Sequence, residues 1–383
     1  MGSSVGGPPV AKPLQPIAGW LTRERSVIEK QYNQRNTARR LLAAVCMAGV
    51  LAVVAPLAPA HAEGELNLYN WGDYINPEVL TRFSAEHDVK VNLDTYGSNE
   101  EMLAKIQAGA TGYDIVFPSV HMHDILAKLD LLWKSDINQS PGFENIDPEF
   151  LRANTDPDGE WCLPYAWGTV GIFYNKTKVP EIKSWADFFA IPEEHGEKII
   201  LLDDMRETIG VGLIVNDYSV NTSDMDELKV AEEFILERKP QVTAFTYDSV
   251  PLVQAGDVAA AHWYVGAMLY VSQNPDELGY VIPEEGATMY QENICVLKSA
   301  PNKENAKKFM EFYLQPEIAV LNIEQQMNGT PNRAARELLP PELRDNPGMN
   351  PPPEVVDKLQ IFEDLGEDLR KYDRVWTRIR TAQ

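Results

Sequence analysis

The chain has 383 residues, with 34 lysines and arginines against 57 aspartates and glutamates, and a net charge of −23 at pH 7. Such an acidic surface repels nucleic acid and anionic lipid and attracts cations, so we expect no nucleic-acid partner. Three cysteines are too few for a disulfide framework, which excludes the small disulfide-rich secreted classes.

The first 62 residues are predicted to be a leader and not part of the fold. The arginine pair Arg39 and Arg40 precedes an apolar stretch over residues 41–60, which ends in Ala60-His61-Ala62. A basic flank, an apolar core and an A-x-A exit are typical of a secretory signal peptide, so we expect export and cleavage after Ala62. An uncleaved membrane anchor is the alternative. Cleavage removes seven basic and two acidic residues and leaves a net charge of −28.

Strand and helix patterns alternate from the start of the processed chain. Strands are predicted over residues 66–70, 89–96 and 113–118, and helices over 77–86, 100–108 and 123–129. Strands separated by helices predict βαβ units and a parallel sheet. A long β-branched and aromatic stretch, residues 164–174, is then predicted to be an extended crossing from one lobe to another.

A second α/β series follows this crossing. Helices are predicted over residues 184–189, 206–218, 225–239 and 250–255, and strands over 198–202, 242–246, 258–263 and 279–282. A return crossing is predicted over residues 293–297, and helices over 303–314, 317–327, 355–365 and 367–381. Two exported α/β lobes joined by two crossings suit a hinged solute-binding protein; a two-domain exported enzyme is the alternative, since fold alone does not decide function.

The residues after the first predicted strand form the most informative motif. Asn70-Trp71-Gly72-Asp73-Tyr74 lies on a strand-to-helix turn, where open α/β sheets place their ligands. An indole and a phenol supply flat apolar walls, and the carboxylate supplies negative charge. This combination suits a ligand that is both cationic and partly hydrocarbon. Two core aromatics at a strand end are the alternative.

Carboxylates and aromatic residues also follow other predicted strands. Asp204 and Glu207 stand three apart at a helix start, so both can point into one opening, although ordinary capping is the alternative. Trp263 and Tyr264 end a strand of small apolar residues, and this aromatic pair can be a ligand platform, with core packing as the alternative. Tyr290 and Glu292 repeat the aromatic-plus-carboxylate pattern.

The sequence carries no recognisable catalytic, metal or cofactor motif. Ser-His-Asp, Cys-His, nucleophile-elbow, Walker and dinucleotide-binding patterns are absent. His121 and His123 lack a nearby third ligand, and Asp204 and Glu207 are too close together to straddle a glycosidic bond. We therefore expect no enzyme activity, no cofactor and no metal. For Cys162 and Cys295, a disulfide and two buried thiols both remain open.

With these residues assembled, the chain resembles the bacterial periplasmic spermidine/putrescine-binding proteins of ABC transporters. The likeness covers about residues 65–383 and is carried by residues 69–74, 95–100, 113–119, 164–169, 184–187, 203–207 and 330–332. It implies an α/β, two-lobed periplasmic-binding-protein fold of type II, each lobe a mainly parallel sheet flanked by helices, joined by two hinge crossings. The implied boundaries are residues 65–165 with 293–335 for lobe 1, 166–292 for lobe 2, and 336–383 for a C-terminal helical segment packed on lobe 2.

The resemblance also implies a function. The protein would be the periplasmic substrate-binding subunit of an ABC importer. As a monomer, it would capture a linear polyamine between its lobes and deliver it to the permease and ATPase subunits. Aromatic rings would sandwich the methylene chain, and carboxylates would hold the ammonium groups. The implied ligand-binding residues are Trp71, Asp73, Tyr74, Ser119, His121, Asp204, Glu207, Trp263, Tyr290, Glu292, Asn328 and Gln360.

Four of these residues depart from the family pattern. His121 and Asn328 stand where tyrosines are common, Tyr290 replaces a tryptophan, and Glu292 replaces an aspartate. These changes alter the length and polarity of the slot, so the preferred amine is open. A binding protein of the same fold for another cationic amine or an amino-acid derivative is one alternative, and a polyamine sensor subunit is another.

Overall fold

The structure is a computed structural model and describes residues 64–382. The predicted leader, residues 1–62, lies outside the described residues. Between residues 64 and 382, no helix is both long and apolar enough to cross a membrane.

Ten strands form one mixed sheet in the described part of the chain. They are β1 (Gly64–Trp71), β2 (Val89–Tyr96), β3 (Ile115–Val116), β4 (Cys162–Asn175), β5 (Ile199–Leu201), β6 (Val242–Phe245), β7 (Ala260–Tyr264), β8 (Leu278–Val281), β9 (Ala287–Val296) and β10 (Leu359–Ile361). Their order is β2-β1-β3-β9-β4-β7-β5-β6, with β10 paired to β9 and β8 paired to β4.

Fourteen α-helices flank this sheet among the described residues. They are α1 (Pro77–His87), α2 (Asn99–Gln107), α3 (Val120–Lys128), α4 (Trp185–His195), α5 (Met205–Ile214), α6 (Met225–Arg238), α7 (Val250–Gln254), α8 (Met268–Gln273), α9 (Lys303–Tyr313), α10 (Pro316–Gln326), α11 (Arg333–Leu338), α12 (Pro341–Arg344), α13 (Pro353–Val356) and α14 (Leu369–Thr381).

The strand pairing differs between the ends and the middle of the sheet. Toward one end of the sheet, β1 pairs in parallel with β2 and with β3. Toward the other end, β5 pairs in parallel with β6 and with β7. The long strands β4 and β9 pair antiparallel in the middle, from Cys162 opposite Cys295 to Val170 opposite Thr288. All residues of β4 are buried, which agrees with its continuous run of apolar and aromatic residues.

Most buried apolar side chains belong to two large clusters. The first gathers residues of β1, β3, α1 and α9, and includes Phe83 and Phe309. The second gathers residues of α4, α5, α6 and α14, and includes Phe188 and Tyr372. Strand β4 supplies residues to both, Tyr165 to the first and Ile172 to the second. Strand β4 therefore runs from one core to the other.

A disulfide joins Cys162, the first residue of β4, to Cys295 near the end of β9. Of the two states left open by the sequence, the structure has the bridged one. The two residues are directly opposite in the antiparallel ladder, and their Cα atoms are 4.5 Å apart. Backbone pairing alone therefore brings the two sulfur atoms together.

The C-terminal part corrects the sequence prediction in one place. The helix predicted near residues 355–365 is wrong, because the chain forms only the short helix α13 and then the strand β10. β10 pairs in parallel with β9, from Leu359 opposite Ala287 to Ile361 opposite Met289. The segment 336–383 is therefore not wholly helical. Its last helix, α14, contributes Val375 and Ile379 to the second core cluster.

Candidate functional site

Strand β9 presents three polar side chains on one face. Successive side chains of a strand alternate, so Thr288, Tyr290 and Glu292 share a face, and Gln291 points the opposite way. The contacts agree, since the Gln291 amide donates to the carbonyl oxygen of Phe150 at 2.8 Å on the other side. Four residues of strand span about 13 Å, so groups held at Thr288 and at Glu292 lie at the two ends of one strip.

Glu292 is a buried carboxylate that has no basic partner between residues 64 and 382. Its side chain is only 5% exposed, and no ion pair among the described residues includes it. The Tyr74 hydroxyl donates to Oε2 at 3.0 Å, and the Ser119 hydroxyl donates to Oε1 at 3.3 Å. Burial raises the pKa of Glu292 to about 8, although these two hydrogen bonds lower it in part.

The turn after β1 and the loop before α3 hold these two hydroxyls in place. The indole N–H of Trp71 donates to the Phe117 carbonyl at 2.8 Å, and its ring centroid lies 4.7 Å from that of Tyr96. Ser119 accepts a hydrogen bond from the Asn99 amide at 3.0 Å. Ser119 also forms an isolated antiparallel bridge with Glu292. Trp71 therefore joins the end of β1, three residues before Tyr74, to the segment that leads into Ser119.

The second buried carboxylate, Glu207, lies at the start of α5. The Asp204 side chain caps this helix by accepting the Glu207 backbone N–H at 3.0 Å, so the capping prediction holds. Thr288 donates its hydroxyl to the Glu207 carboxylate, which is 5% exposed. The only ion-pair contact of Glu207 in the described part is His262 at 3.9 Å, and burial keeps that ring neutral by lowering its pKa to about 3. Burial, followed by the charge of Asp204, raises the pKa of Glu207 to about 8.

Aromatic rings connect the two carboxylate ends. Tyr247 donates its hydroxyl to Asp204 at 3.0 Å, and its ring centroid lies 6.4 Å from that of Trp263. Trp263 lies 5.8 Å from Tyr264, which in turn lies 5.8 Å from Tyr290, measured between ring centroids. This aromatic run gives the strip between the carboxylates an apolar wall.

Asn328 adds an unpaired acceptor near Glu292. Its amide donates to the Tyr74 hydroxyl at 3.2 Å and to the Gln326 side chain at 3.0 Å. Its Oδ1 atom is buried without a partner among the described residues. The Tyr290 ring packs against Gly168 of β4. A Cβ atom at position 168 would lie 2.5 Å from the Tyr290 hydroxyl, so only glycine leaves room for the Tyr290 ring.

Three predicted ligand-binding residues lie outside these contacts. Asp73 is exposed on the turn after β1, with a left-handed φ of 53°. Gln360 is used structurally, because its amide accepts from the Val220 N–H at 2.9 Å and donates to the Tyr218 carbonyl at 3.2 Å. His121 is half-buried, and burial lowers its pKa to about 4. Ligand contacts of all twelve predicted residues, these three included, remain predictions.

Sequence reasoning missed two residues of this constellation. Tyr247 and Thr288 each contact a predicted site residue. Tyr247 had a usable signal, since it follows a predicted strand. Thr288 had none, because only the tertiary fold brings it to Glu207.

A model of the bacterial extracellular solute-binding protein family matches residues 78–351. The chain belongs to this family. The spermidine/putrescine-binding periplasmic protein of Salmonella typhimurium is 33% identical over 350 residues, which are 90% of this chain and 99% of that protein. The putrescine-binding periplasmic protein SpuD of Pseudomonas aeruginosa is 33% identical over 367 residues, with 90% and 98% of the two chains covered.

The fold matches a solved structure of the same kind. The spermidine/putrescine ABC transporter substrate-binding protein PotD of Streptococcus pneumoniae superposes with a TM-score of 0.75 at 34% identity. The match covers 83% of this chain and 98% of that chain. The mixed α/β sheet with flanking helices is therefore the type II periplasmic-binding-protein fold.

Proposed function

We propose that this protein is the substrate-binding subunit of an ABC importer and captures a linear polyamine of the putrescine or spermidine type. The observation that carries the proposal is the pair of buried, unpaired carboxylates, Glu207 and Glu292, at the two ends of one aromatic-lined strip. The similar proteins named for spermidine and putrescine support the same ligand class.

The electrostatics favour a ligand with two separated cationic groups. A carboxylate taken out of water without a partner costs several kcal/mol, so it takes up a proton or binds a cation. One ammonium group at each glutamate would remove both costs at once. The methylene chain between them would lie against Trp263, Tyr264 and Tyr290, where aromatic faces favour both hydrocarbon and cation.

The same charges disfavour amines that also carry a carboxylate. An amino-acid derivative would place its own negative group near Glu207 or Glu292, and like charges in a buried site repel strongly. The unpaired Oδ1 of Asn328 is an acceptor, so it too favours an N–H donor over an acceptor at that end.

The proposed mechanism is closure of two lobes around the ligand. Most residues of the first cluster lie within 65–165 and 293–335, and the second cluster lies within 166–292 together with α14, which supports two lobes. The first cluster also includes Val265, Met268, Leu339 and Met349, so it crosses the predicted boundaries at these residues. Strands β4 and β9 run between the clusters and are the candidate hinge. Glu207 and Glu292 would then draw both lobes onto one ligand, after which the closed form would dock on the membrane permease with its ATPase. The location proposed for this step is the periplasm, with the protein acting as a monomer.

Isothermal titration calorimetry tests the ligand class. Protein recovered from the periplasm of a host expressing the full chain would be unfolded, freed of ligand and refolded, then titrated with putrescine, cadaverine, spermidine and spermine. We expect one-to-one binding of at least one of them. Matched controls are butane-1,4-diol, which lacks both charges, 1-butylamine, which lacks one, and ornithine, which is putrescine with an added carboxylate. Binding of ornithine as tightly as putrescine, or of no polyamine by folded protein, would contradict the proposal.

Membrane uptake separates an importer subunit from a sensor. Deleting the gene in its native host is expected to abolish accumulation of the labelled polyamine that the purified protein binds. A sensor subunit would leave that accumulation intact, while still binding the ligand in the calorimeter.

A further inference from the structure

A buried histidine lies beside the disulfide, on the opposite face of β9 from the carboxylate strip. His123, in α3, is 2% exposed, and one of its ring nitrogens lies within 4.8 Å of the sulfur atoms of Cys162 and Cys295. Its Nδ1 atom lies 3.4 Å from the side-chain amide of Asn293. Because strand side chains alternate, Asn293 and Cys295 both point away from the strip that holds Glu292.

Two further observations at this place point to a ligand. The Nε2 atom of His123 has no hydrogen-bond partner among the described residues, although buried polar atoms are normally paired. A space of about 10 Å³, room for about one water molecule, is lined in part by His123, Asp156, Cys162 and Asn293. The Asp156 carboxylate lies 3.8 Å from Nε2, so negative charge faces the same cavity.

We propose that His123, Cys162 and Cys295 form a zinc site in the reduced chain, so that zinc binding and disulfide formation exclude each other. One imidazole nitrogen and two thiolates are a ligand set that suits Zn²⁺, with a fourth position left for water or Asp156.

The backbone keeps the three ligands together whether or not the S–S bond exists. Cys162 and Cys295 are opposite each other in the β4–β9 ladder, with Cα atoms 4.5 Å apart. Breaking the S–S bond lets the sulfur atoms separate until one zinc ion bonds both, about 2.3 Å from each. The site therefore needs side-chain rotation but no movement of the strands.

A dithiol can reduce the S–S bond between Cys162 and Cys295. The dithiol gives two electrons and two protons, is itself oxidised to a disulfide, and leaves Cys162 and Cys295 as thiols. Zn²⁺ then displaces both thiol protons to solvent, and the two thiolates neutralise its charge. An oxidant can remake the S–S bond only after the metal has left.

Cobalt substitution tests the site on protein expressed from the full chain and recovered from the periplasm. The protein would be reduced anaerobically with a phosphine, freed of reductant and titrated with Co²⁺. We expect one Co²⁺ per chain, with thiolate-to-cobalt absorption in the near ultraviolet and the visible bands of a tetrahedral site, both lost when Zn²⁺ is added. The oxidised protein is the control and is expected to give neither band.

Two variants and a rate measurement complete the test. H123N is expected to weaken Zn²⁺ binding at least tenfold, and C162S is expected to abolish the thiolate band. Zinc-loaded wild type is expected to reform its disulfide with oxidised glutathione more slowly than zinc-free wild type. This comparison needs no variant, so it tests the zinc site even if H123N or C162S does not fold. Absence of the band from folded, reduced wild type, unchanged zinc affinity in folded H123N, or an unchanged reoxidation rate would overturn the proposal.

Discussion

At the scale of single residues, the main feature of this protein is its two buried glutamates. Glu207 and Glu292 are each 5% exposed and each have a pKa near 8, with burial as the main cause. Their hydrogen-bond donors, Thr288 for one and Tyr74 with Ser119 for the other, only partly replace the water lost on burial. A ligand with two positive charges is therefore expected to displace the protons carried by Glu207 and Glu292.

Ligand affinity is expected to rise with pH below about pH 8. The ammonium groups need ionised carboxylates, so binding at pH 7 releases protons from Glu207 and Glu292. Below the pKa, each protonated glutamate weakens binding by about tenfold per pH unit. Calorimetry in buffers of different ionisation enthalpy measures the released protons, and E292Q is expected to release fewer. Proton release that is zero at pH 7 would contradict the raised pKa values.

Stability of the ligand-free protein is expected to change in the opposite direction. A carboxyl group whose pKa is raised on folding binds more protons in the folded state than in the unfolded state between about pH 4.5 and pH 8. The free energy of unfolding therefore falls as pH rises through this window, by on the order of 3 kcal/mol per glutamate up to pH 7. Urea unfolding at several pH values measures it. E207Q and E292Q are each expected to flatten the curve, and a wild-type curve as flat as theirs would be inconsistent with this reasoning.

At the scale of secondary-structure elements, the start of α5 has two tasks. Asp204 caps the helix with one carboxylate oxygen and accepts the Tyr247 hydroxyl with the other. The first task needs only an oxygen acceptor, and the second places charge at the end of the aromatic run. The two tasks can therefore be separated by substitution.

Asn and Ala at position 204 are expected to behave differently. Asparagine caps helices as well as aspartate, so D204N is expected to leave the free energy of unfolding nearly unchanged, while D204A loses about 1 kcal/mol. Both remove the carboxylate charge and are expected to weaken polyamine binding. Urea unfolding and calorimetry measure the two effects. A D204N protein with wild-type affinity would show that this charge does not reach the ligand.

Elements with a long periodic pattern were predictable from the sequence, whereas the short elements α8 and β10 were missed. The patterns for β1, β2, α9 and α10 place these elements within a few residues of their observed bounds. β10 was missed because three residues carry no periodicity and become a strand only by pairing with β9.

Some residues of the candidate site were likewise predictable from the sequence, and others were not. Motifs that follow predicted strands located Tyr74 and Glu207, because a strand end is a position readable from sequence. Glu292 was expected just before the crossing at residues 293–297, and the structure places it inside β9. Gln360 is engaged with the backbone of Tyr218 and Val220, a contact across the fold that no local pattern reveals.

At the scale of the whole molecule, ligand binding is expected to make the protein more compact. If β4 and β9 are the hinge between two lobes, a ligand that contacts both Glu207 and Glu292 favours the closed arrangement. Small-angle X-ray scattering is expected to give a smaller radius of gyration with saturating polyamine than without it. Ligand at 100 times its Kd should also raise the free energy of unfolding by about 2.7 kcal/mol. Binding with no change in radius of gyration would contradict the hinge.

The most direct test of the central claim is the calorimetric Kd of the tightest-binding polyamine for wild type, E207Q and E292Q, with E194Q as the control. Glu194 is exposed on α4, so this control changes net charge equally without touching the site. Each site variant leaves one ammonium without its carboxylate, so binding is expected to weaken by about 2–4 kcal/mol, roughly 30- to 1,000-fold, while E194Q stays at the wild-type value. If folded E207Q and E292Q both bind as tightly as E194Q, the two glutamates do not hold the ligand.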